Sequence, residues 1–150
     1  MQISSRLTIG VHLLTLVALD RADVPMTSDK IAGSVGVNPV IIRKTLSQLK
    51  KAGLIEVTRG RGGITILKSL CDISLYDVYL AVESLGESQK LFSFHDNPNP
   101  NCPIGRNIHG ALDDKLKQAQ EALENSLRSV TLADIVADAK SGINQEKNLA

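Results

Sequence analysis

Polar and basic side chains recur between residues 27 and 68, at the starts of two predicted helices and in a turn rich in Arg and Gly. Free N–H groups at the start of a helix bind phosphate, and Arg or Asn near that start can pair with guanine or adenine in the major groove. The pattern therefore predicts contacts with double-stranded DNA. The residues it selects are Thr27, Ser28, Asn38, Pro39, Val40, Arg43, Lys44, Lys50, Arg59 and Arg61.

Arg59 and Arg61 belong to the segment RGRGG, which connects two short stretches rich in β-branched residues. A hairpin tip of this kind could insert an Arg side chain into a narrow minor groove, where the potential is most negative. Lys50 would contact a phosphate, which fixes the position of the protein on DNA but does not distinguish one base sequence from another. The alternative interpretation is a regulatory protein-interaction module that binds a partner enzyme, and the basic face favours DNA.

Apolar spacing and capping residues predict the helices and strands that position these side chains. Gly36 can take the positive φ of a tight turn between two helices, and Pro39 suits the first position of the second. The predicted fold is mainly α with a small β wing, a winged helix-turn-helix followed by a long C-terminal dimerisation helix. The predicted elements are helices 5–20, 27–35, 39–52, 74–84, 104–130 and 132–139 and strands 54–58 and 64–68.

The long helix carries an apolar stripe that one helix cannot bury alone. Its members recur at spacings close to 3.5 residues, as in a coiled coil. We expect it to form a homodimer that reads a palindromic operator, although it could instead fold back onto its own chain. The predicted dimerisation residues are Ile108, Leu112, Leu116, Leu123 and Leu127.

These elements divide the chain into four predicted regions. They are a winged helix-turn-helix domain at 1–85, a loop at 86–103, the dimerisation helix with a short terminal helix at 104–139, and a flexible tail at 140–150.

Charge and composition agree with this division. Residues 1–70 hold ten Lys/Arg and four Asp/Glu, whereas residues 71–150 hold seven and twelve, so the first half suits a polyanion. Two cysteines are too few for a secreted disulfide framework, and neither a signal peptide nor a membrane-spanning run is recognisable, so a cytoplasmic location is expected. No catalytic motif emerges, which predicts that the protein is not an enzyme.

Cys102 is the candidate redox sensor, because a Cys at a helix N-terminus can have a lowered pKa. His109 follows it in the same helix and could join it at a metal, but two ligands do not make a closed site, so no metal is predicted. We favour the interpretation in which Cys102 has no such role. Cys71 is expected to be a small buried residue, and His12 a core or interface histidine.

The chain resembles the Rrf2 family of bacterial winged-helix regulators. The resemblance covers about residues 1–139 and rests on SSRLTIGVHLL, VNPVIIRKTLSQLKKAGLIEVTRGRGG, DISLYDVYLAVE and CPIGRNIHGALDDKL. It implies a dimeric transcriptional regulator, with Asn38, Val40, Arg43 and Lys44 in the major groove and Arg59 in the minor groove.

One departure from the family pattern concerns the cofactor. Members that bind an iron–sulfur cluster have three cysteines in the loop before the long helix, and this sequence has only Cys102 there. A [2Fe–2S] cluster needs four ligands, mostly thiolates. We therefore expect no cluster and no other cofactor, and the chain is similar to the cluster-less, YwnA-like members.

Overall fold

A computed structural model describes residues 4–20, 25–58, 60, 63–83 and 90–150. The chain forms two compact units, one of Met1–Glu83 with Arg128–Ala150 and one of Ser84–Leu127. The helices and strands, in chain order, are α1 (Arg6–Leu19), α2 (Ser28–Val35), α3 (Pro39–Lys51), β1 (Ile55–Thr58), β2 (Gly63–Ile66), α4 (Leu75–Val82), α5 (Pro103–Arg128) and α6 (Leu132–Leu149), with a short 3-10 helix at Leu70–Asp72 before α4.

The core of the first unit is almost wholly aliphatic, as the near absence of aromatic residues requires. Leu13 and Leu14 of α1, Ile31 of α2 and Ile42 of α3 are completely buried in it. The core also takes in Leu54 at the entry to β1, and residues of α4 and α6 complete it.

Capping fixes the turn between α2 and α3 at the positions that the sequence predicts. Gly36 ends α2 with φ at 76°, and its N–H donates to the Ala32 carbonyl at 2.8 Å. The Asn38 side chain caps α3, and Pro39 stands in its first turn. The turn is short because each residue in it ends one helix or starts the next.

The wing is a two-stranded antiparallel sheet. Ile55 pairs with Ile66 at the base and Thr58 with Gly63 at the tip. Gly53 precedes the first strand with φ at 73°, a conformation that L side chains rarely adopt. The helices and the small wing confirm the predicted fold class.

The last helix is longer than predicted and belongs to the first unit. We expected it to end at Ala139 before a flexible tail at 140–150, but α6 continues to Leu149. Ile143 extends the apolar spacing of Ala139 by one turn, and the residues around it favour helix enough to tolerate Gly142. Leu132 and Val136 of α6 are buried in the core with α1, whereas the sequence grouped this helix with α5.

The second unit consists of α5 and the segment that precedes it. The Leu91 N–H donates to Gln120 Oε1 at 3.0 Å, and the rings of Phe94 and His109 lie 4.2 Å apart. Residues 91–94 of that segment therefore lie beside the helix. None of the helices in the described ranges is long and apolar enough to cross a membrane.

Candidate DNA interface

One face of α3 is directed outward and carries four of the ten predicted DNA-binding residues, namely Val40, Arg43, Lys44 and Lys50. Ile42, Leu46 and Leu49 are buried against the core, and they hold this helix in place. The opposite face follows spacings of four, three and four residues, as an α-helix of 3.6 residues per turn requires. It consists of Val40, Lys44, Ser47 and Lys51, with Arg43 and Lys50 at its border, and all six residues are exposed.

Asn38 has a structural task that limits how it could contact DNA. Its Oδ1 accepts a hydrogen bond from the Val40 N–H at 2.9 Å. Pairing with adenine would need the same oxygen to accept a second bond while Nδ2 donates. The Nδ2 group remains the better candidate for a contact, as a donor to a phosphate or to a base acceptor.

Thr27 and Ser28 lie at the start of α2, as predicted. The Thr27 hydroxyl accepts from the Lys30 N–H at 3.3 Å and can still donate to an oxygen outside the protein. Thr27 is exposed and Ser28 is half-buried, so Thr27 is the more accessible of the two. The position suits an anion because the helix dipole is positive there.

The basic side chains of α3 are exposed to solvent. Among the residues that the structure describes, no carboxylate forms an ion pair with Arg43, Lys44, Lys50 or Lys51. A cation without an internal partner loses no existing contact when it binds a phosphate. Arg59 and Arg61 of the wing lie outside the described residues, so their predicted role stays a prediction.

Gln48 is a positioning residue that the sequence did not single out. Its Nε2 donates to the carbonyl of Val82 at 3.2 Å, which ties the middle of α3 to the end of α4. A half-buried amide at the border of the buried face is the available signal, but the sequence does not identify the partner, 34 residues away.

The apolar stripe of α5 is only partly covered. Within the described chain, α5 has no buried residue. Each predicted dimerisation residue is half-buried, namely Ile108, Leu112, Leu116, Leu123 and Leu127. The stripe therefore remains available for a further partner.

Among the described residues, neither Cys102 nor His109 belongs to a group of three possible metal ligands. Cys102 precedes α5, and its carbonyl accepts the Arg106 N–H at 3.0 Å. His109 lies seven residues further on, about 10 Å along the helix axis at the usual rise per residue. The His109 ring instead contacts Phe94 and, at 3.3 Å, Asp113.

The expectation for Cys71 is wrong, and so is the core position expected for His12, whereas an interface role of His12 stays a prediction. Cys71 is exposed rather than buried, because it belongs to the 3-10 helix at the surface between the wing and α4. His12 is also exposed, and its Nε2 lies 3.2 Å from the Ser34 hydroxyl. This polar partner on α2 allows the ring to lie outside the core.

The fold and the outward basic face of α3 define a winged helix-turn-helix protein of the DNA-binding class. The sequence profile of the Rrf2 family, described as an iron-dependent transcriptional regulator, matches residues 3–138. The chain belongs to the Rrf2 family. It is a DNA-binding transcriptional regulator and not an enzyme, which confirms the predicted class.

Individual relatives agree with this assignment. The HTH-type protein YwnA of Bacillus subtilis is 41% identical over 134 residues, which cover 89% of this chain and 96% of YwnA. The HTH-type transcriptional repressor NsrR of Streptomyces coelicolor is 32% identical over 127 residues, 83% of this chain and 80% of NsrR. A crystal structure from Lactobacillus plantarum matches with a TM-score of 0.73 at 25% identity, covering 99% of this chain and all of that one.

The family description implies iron, and the donor set of this chain does not fit a cluster. The sequence has two cysteines, Cys71 in the first unit and Cys102 in the second. A [2Fe–2S] cluster takes four protein ligands, mostly thiolates. Among the described residues, no three His, Cys, Asp or Glu side chains are grouped closely enough to hold a metal ion.

Proposed function

We propose that the protein is a homodimeric transcriptional repressor that reads a palindromic operator and works without an iron–sulfur cluster. The proposal rests on the outer face of α3, whose cations form no ion pair within the described residues, and, separately, on the half-buried apolar stripe of α5.

The dimer is inferred from the stripe. Five Leu and Ile side chains on one face of a helix without buried residues leave apolar surface in water. Burying such surface contributes about 25 cal/mol per Å². A two-fold partner with the same stripe supplies a matching surface, since a symmetric interface pairs a patch with itself.

The mode of DNA binding follows from the dimer. A two-fold protein places its recognition helices in successive major grooves, and it reads two half-sites about 34–36 Å apart. In each half-site, α3 would enter the groove with Arg43 and Lys44, Thr27 would contact a phosphate, and Arg59 and Arg61 would reach the minor groove. Repression is supported by the NsrR repressor among the relatives.

The absence of a cluster is inferred from the cysteine count. Cys102 is the sole thiol of its unit, and Cys71 lies in the other unit. We therefore expect purified protein to show no visible absorption from iron and sulfide, even when it is prepared without oxygen. A stoichiometric iron and sulfide content would contradict this part of the proposal.

The test of the proposal joins oligomeric state to DNA binding. We expect sedimentation to give the mass of a dimer. We expect the protein to bind the DNA upstream of its own gene, and its affinity to fall steeply with salt concentration because binding releases counterions from the phosphates. Leu112→Asp should give a monomer with weak operator binding, because it places a charge in the stripe. Gln118→Asp adds the same charge on an exposed position of α5 away from the stripe, and it should remain dimeric.

Each result bears on a separate part of the proposal. A Leu112→Asp protein that stays dimeric would contradict the α5 interface. A wild-type dimer that binds no duplex at low salt would contradict the operator. An increase in the expression of a reporter gene when the protein is supplied would contradict repression.

A further inference from the structure

The outer face of α3 has an apolar centre among its cations. Val40 is 62% exposed and the neighbouring Ile41 is 42% exposed. Every other exposed residue of the helix is polar or charged, namely Arg43, Lys44, Ser47, Lys50 and Lys51. Single exposed apolar residues are common on proteins, but here two of them adjoin in the first turn of the helix.

The structure does not use these two side chains for the stability of the fold. The core of α3 is made by Ile42, Leu46 and Leu49, on the opposite face. Val40 contributes its N–H to the cap of the helix, but its side chain points into solvent. A role for the apolar side chain must therefore be sought outside the described chain.

We propose that Val40, assisted by Ile41, reads thymine by contact with its C5-methyl group; this inference rests on the proposed DNA binding by α3. In the major groove, this methyl is the apolar group that distinguishes thymine from the other bases. The first turn of a recognition helix is the part that reaches base edges. Val40 is therefore an apolar side chain in the position where an apolar base group would be met.

Two physical properties favour this occupant. Arg43 and Lys44 flank Val40 and would be drawn to phosphates and base acceptors on either side, which holds the helix against the groove floor. The side chains of Val40 and Ile41 are branched at Cβ and therefore stiff at χ1. They present their methyl groups in one direction and lose little conformational entropy when DNA binds.

The test removes the methyl from the DNA and then from the protein. The full-length protein is used to select a duplex from a random pool, and each thymine of the selected site is replaced in turn by deoxyuridine. We expect at least one replacement per half-site to weaken binding about fourfold, the effect of leaving one methyl-sized group unburied.

The matching protein variant is Val40→Ala. We expect the ratio of the affinities for the thymine and deoxyuridine duplexes to fall to less than about twofold in Val40→Ala. The valine methyl groups are then absent, so the thymine methyl has no contact to lose. Arg43→Ala and Ser47→Ala are controls on the same face. Arg43→Ala should weaken binding to both duplexes while the ratio is kept, and Ser47→Ala should keep the ratio.

Two results would overturn the inference. One is a selected site in which no thymine can be distinguished from deoxyuridine by the wild-type protein. The other is a thymine preference that survives intact in Val40→Ala. Both leave DNA binding itself in place, whereas a wild-type protein that selects no duplex removes the proposed function together with this inference.

Discussion

Ser74 and Thr131 face each other in an isolated antiparallel bridge, and each is the N-cap residue of a helix. The bridge therefore joins the start of α4 to the start of α6. Both caps are capping boxes, closed by Asp77 in one helix and by Asp134 in the other. The two helices are separated in sequence by residues 84–127, and the bridge fixes their starts at one point.

The backbone on either side of the bridge is paired as well. The Leu75 N–H donates to the Val130 carbonyl at 2.9 Å, and the Leu132 N–H donates to the Ile73 carbonyl at 2.7 Å. These bonds place α6 so that its first turn enters the core. The bridge, together with the buried Leu132 and Val136, holds the C-terminal helix in the first unit.

Thr131→Ala should destabilise the first unit. The substitution removes the hydroxyl that accepts from the Asp134 N–H at 3.3 Å, and loss of an N-cap side chain costs about 1 kcal/mol. We expect a lower free energy of unfolding in urea, measured by circular dichroism. Thr131→Ser keeps the hydroxyl and should retain most of the stability; equal losses in both variants would argue against the cap.

The same cap predicts a dependence of stability on pH. Hydrogen bonds from the Thr131 backbone N–H and side chain lower the pKa of Asp134 from its ordinary value of 3.8. A carboxylate with a lowered folded-state pKa stabilises fully above its unfolded pKa, and this contribution is lost as the pH falls through the folded-state value.

Asp134→Asn is the variant that measures this contribution. The difference in melting temperature between wild type and Asp134→Asn should be constant between about pH 5 and 7 and should shrink below about pH 4. Asp138→Asn removes an exposed carboxylate from the same helix without touching the cap. A difference that grows on acidification would contradict the assignment.

Gly10→Ala should destabilise the contact between α1 and α4. A Cβ atom there would meet Val78 Cγ1 at 3.1 Å and Val82 Cγ1 at 3.3 Å, both in the core. Overpacking of this kind costs about 1–3 kcal/mol, which exceeds the 0.5–1 kcal/mol that Ala gains over Gly in a helix. We expect a lower melting temperature.

Gly33 offers the matched control for that prediction. A Cβ added there, within α2, would meet no described atom within 4 Å. Gly33→Ala should therefore raise the free energy of unfolding by about 0.5–1 kcal/mol through helix propensity alone. If both substitutions changed stability in the same direction, the close approach at Gly10 would not be the cause.

Gly105→Ala should displace the turn that precedes α5. Its Cβ would lie 2.5 Å from the backbone oxygen of Asn99, the atom that accepts the Cys102 N–H. The backbone must shift, and the segment 90–102 should become more open to proteolysis and to hydrogen exchange. Gly110→Ala, in the same helix, meets no described atom and should leave that segment protected.

Arg43→Ala and Lys44→Ala should each lower the salt dependence of DNA binding. Where either cation contacts a phosphate, the slope of log affinity against log salt should fall by about one unit. Where Arg43 instead pairs with a guanine, the loss of affinity in Arg43→Ala should be confined to DNA sites that contain this guanine. Ser47→Ala, on the same face, should leave the slope unchanged.

Local patterns predicted the recognition unit because its signals are local. Thr27 and Asn38 cap the helices that follow them, and Gly36 supplies the left-handed turn, so each boundary follows from a few adjacent residues. The winged helix-turn-helix could therefore be predicted from the sequence alone. The outward position of Arg43 and Lys44 follows from the 3.6-residue period of the same helix.

Contacts between distant residues could not be predicted in this way. The hydrogen bond from Gln48 to Val82 and the bridge between Ser74 and Thr131 depend on the packing of whole helices. The predicted end of α6 was wrong for a different reason, since Gly142 weakens a helix locally but does not stop it. The exposure of Cys71 likewise follows from a surface turn that has no strong local signal.

The position of α6 has a consequence for how the chain is made. Leu132 and Val136 fill the core against α1, but they are synthesised after the whole of residues 84–127. At about 5–20 residues per second, translation leaves that core open for several seconds. During this interval the core residues that Leu132 and Val136 later cover stay accessible to chaperones, and a chain that terminates inside α5 would lack the helix that completes this core.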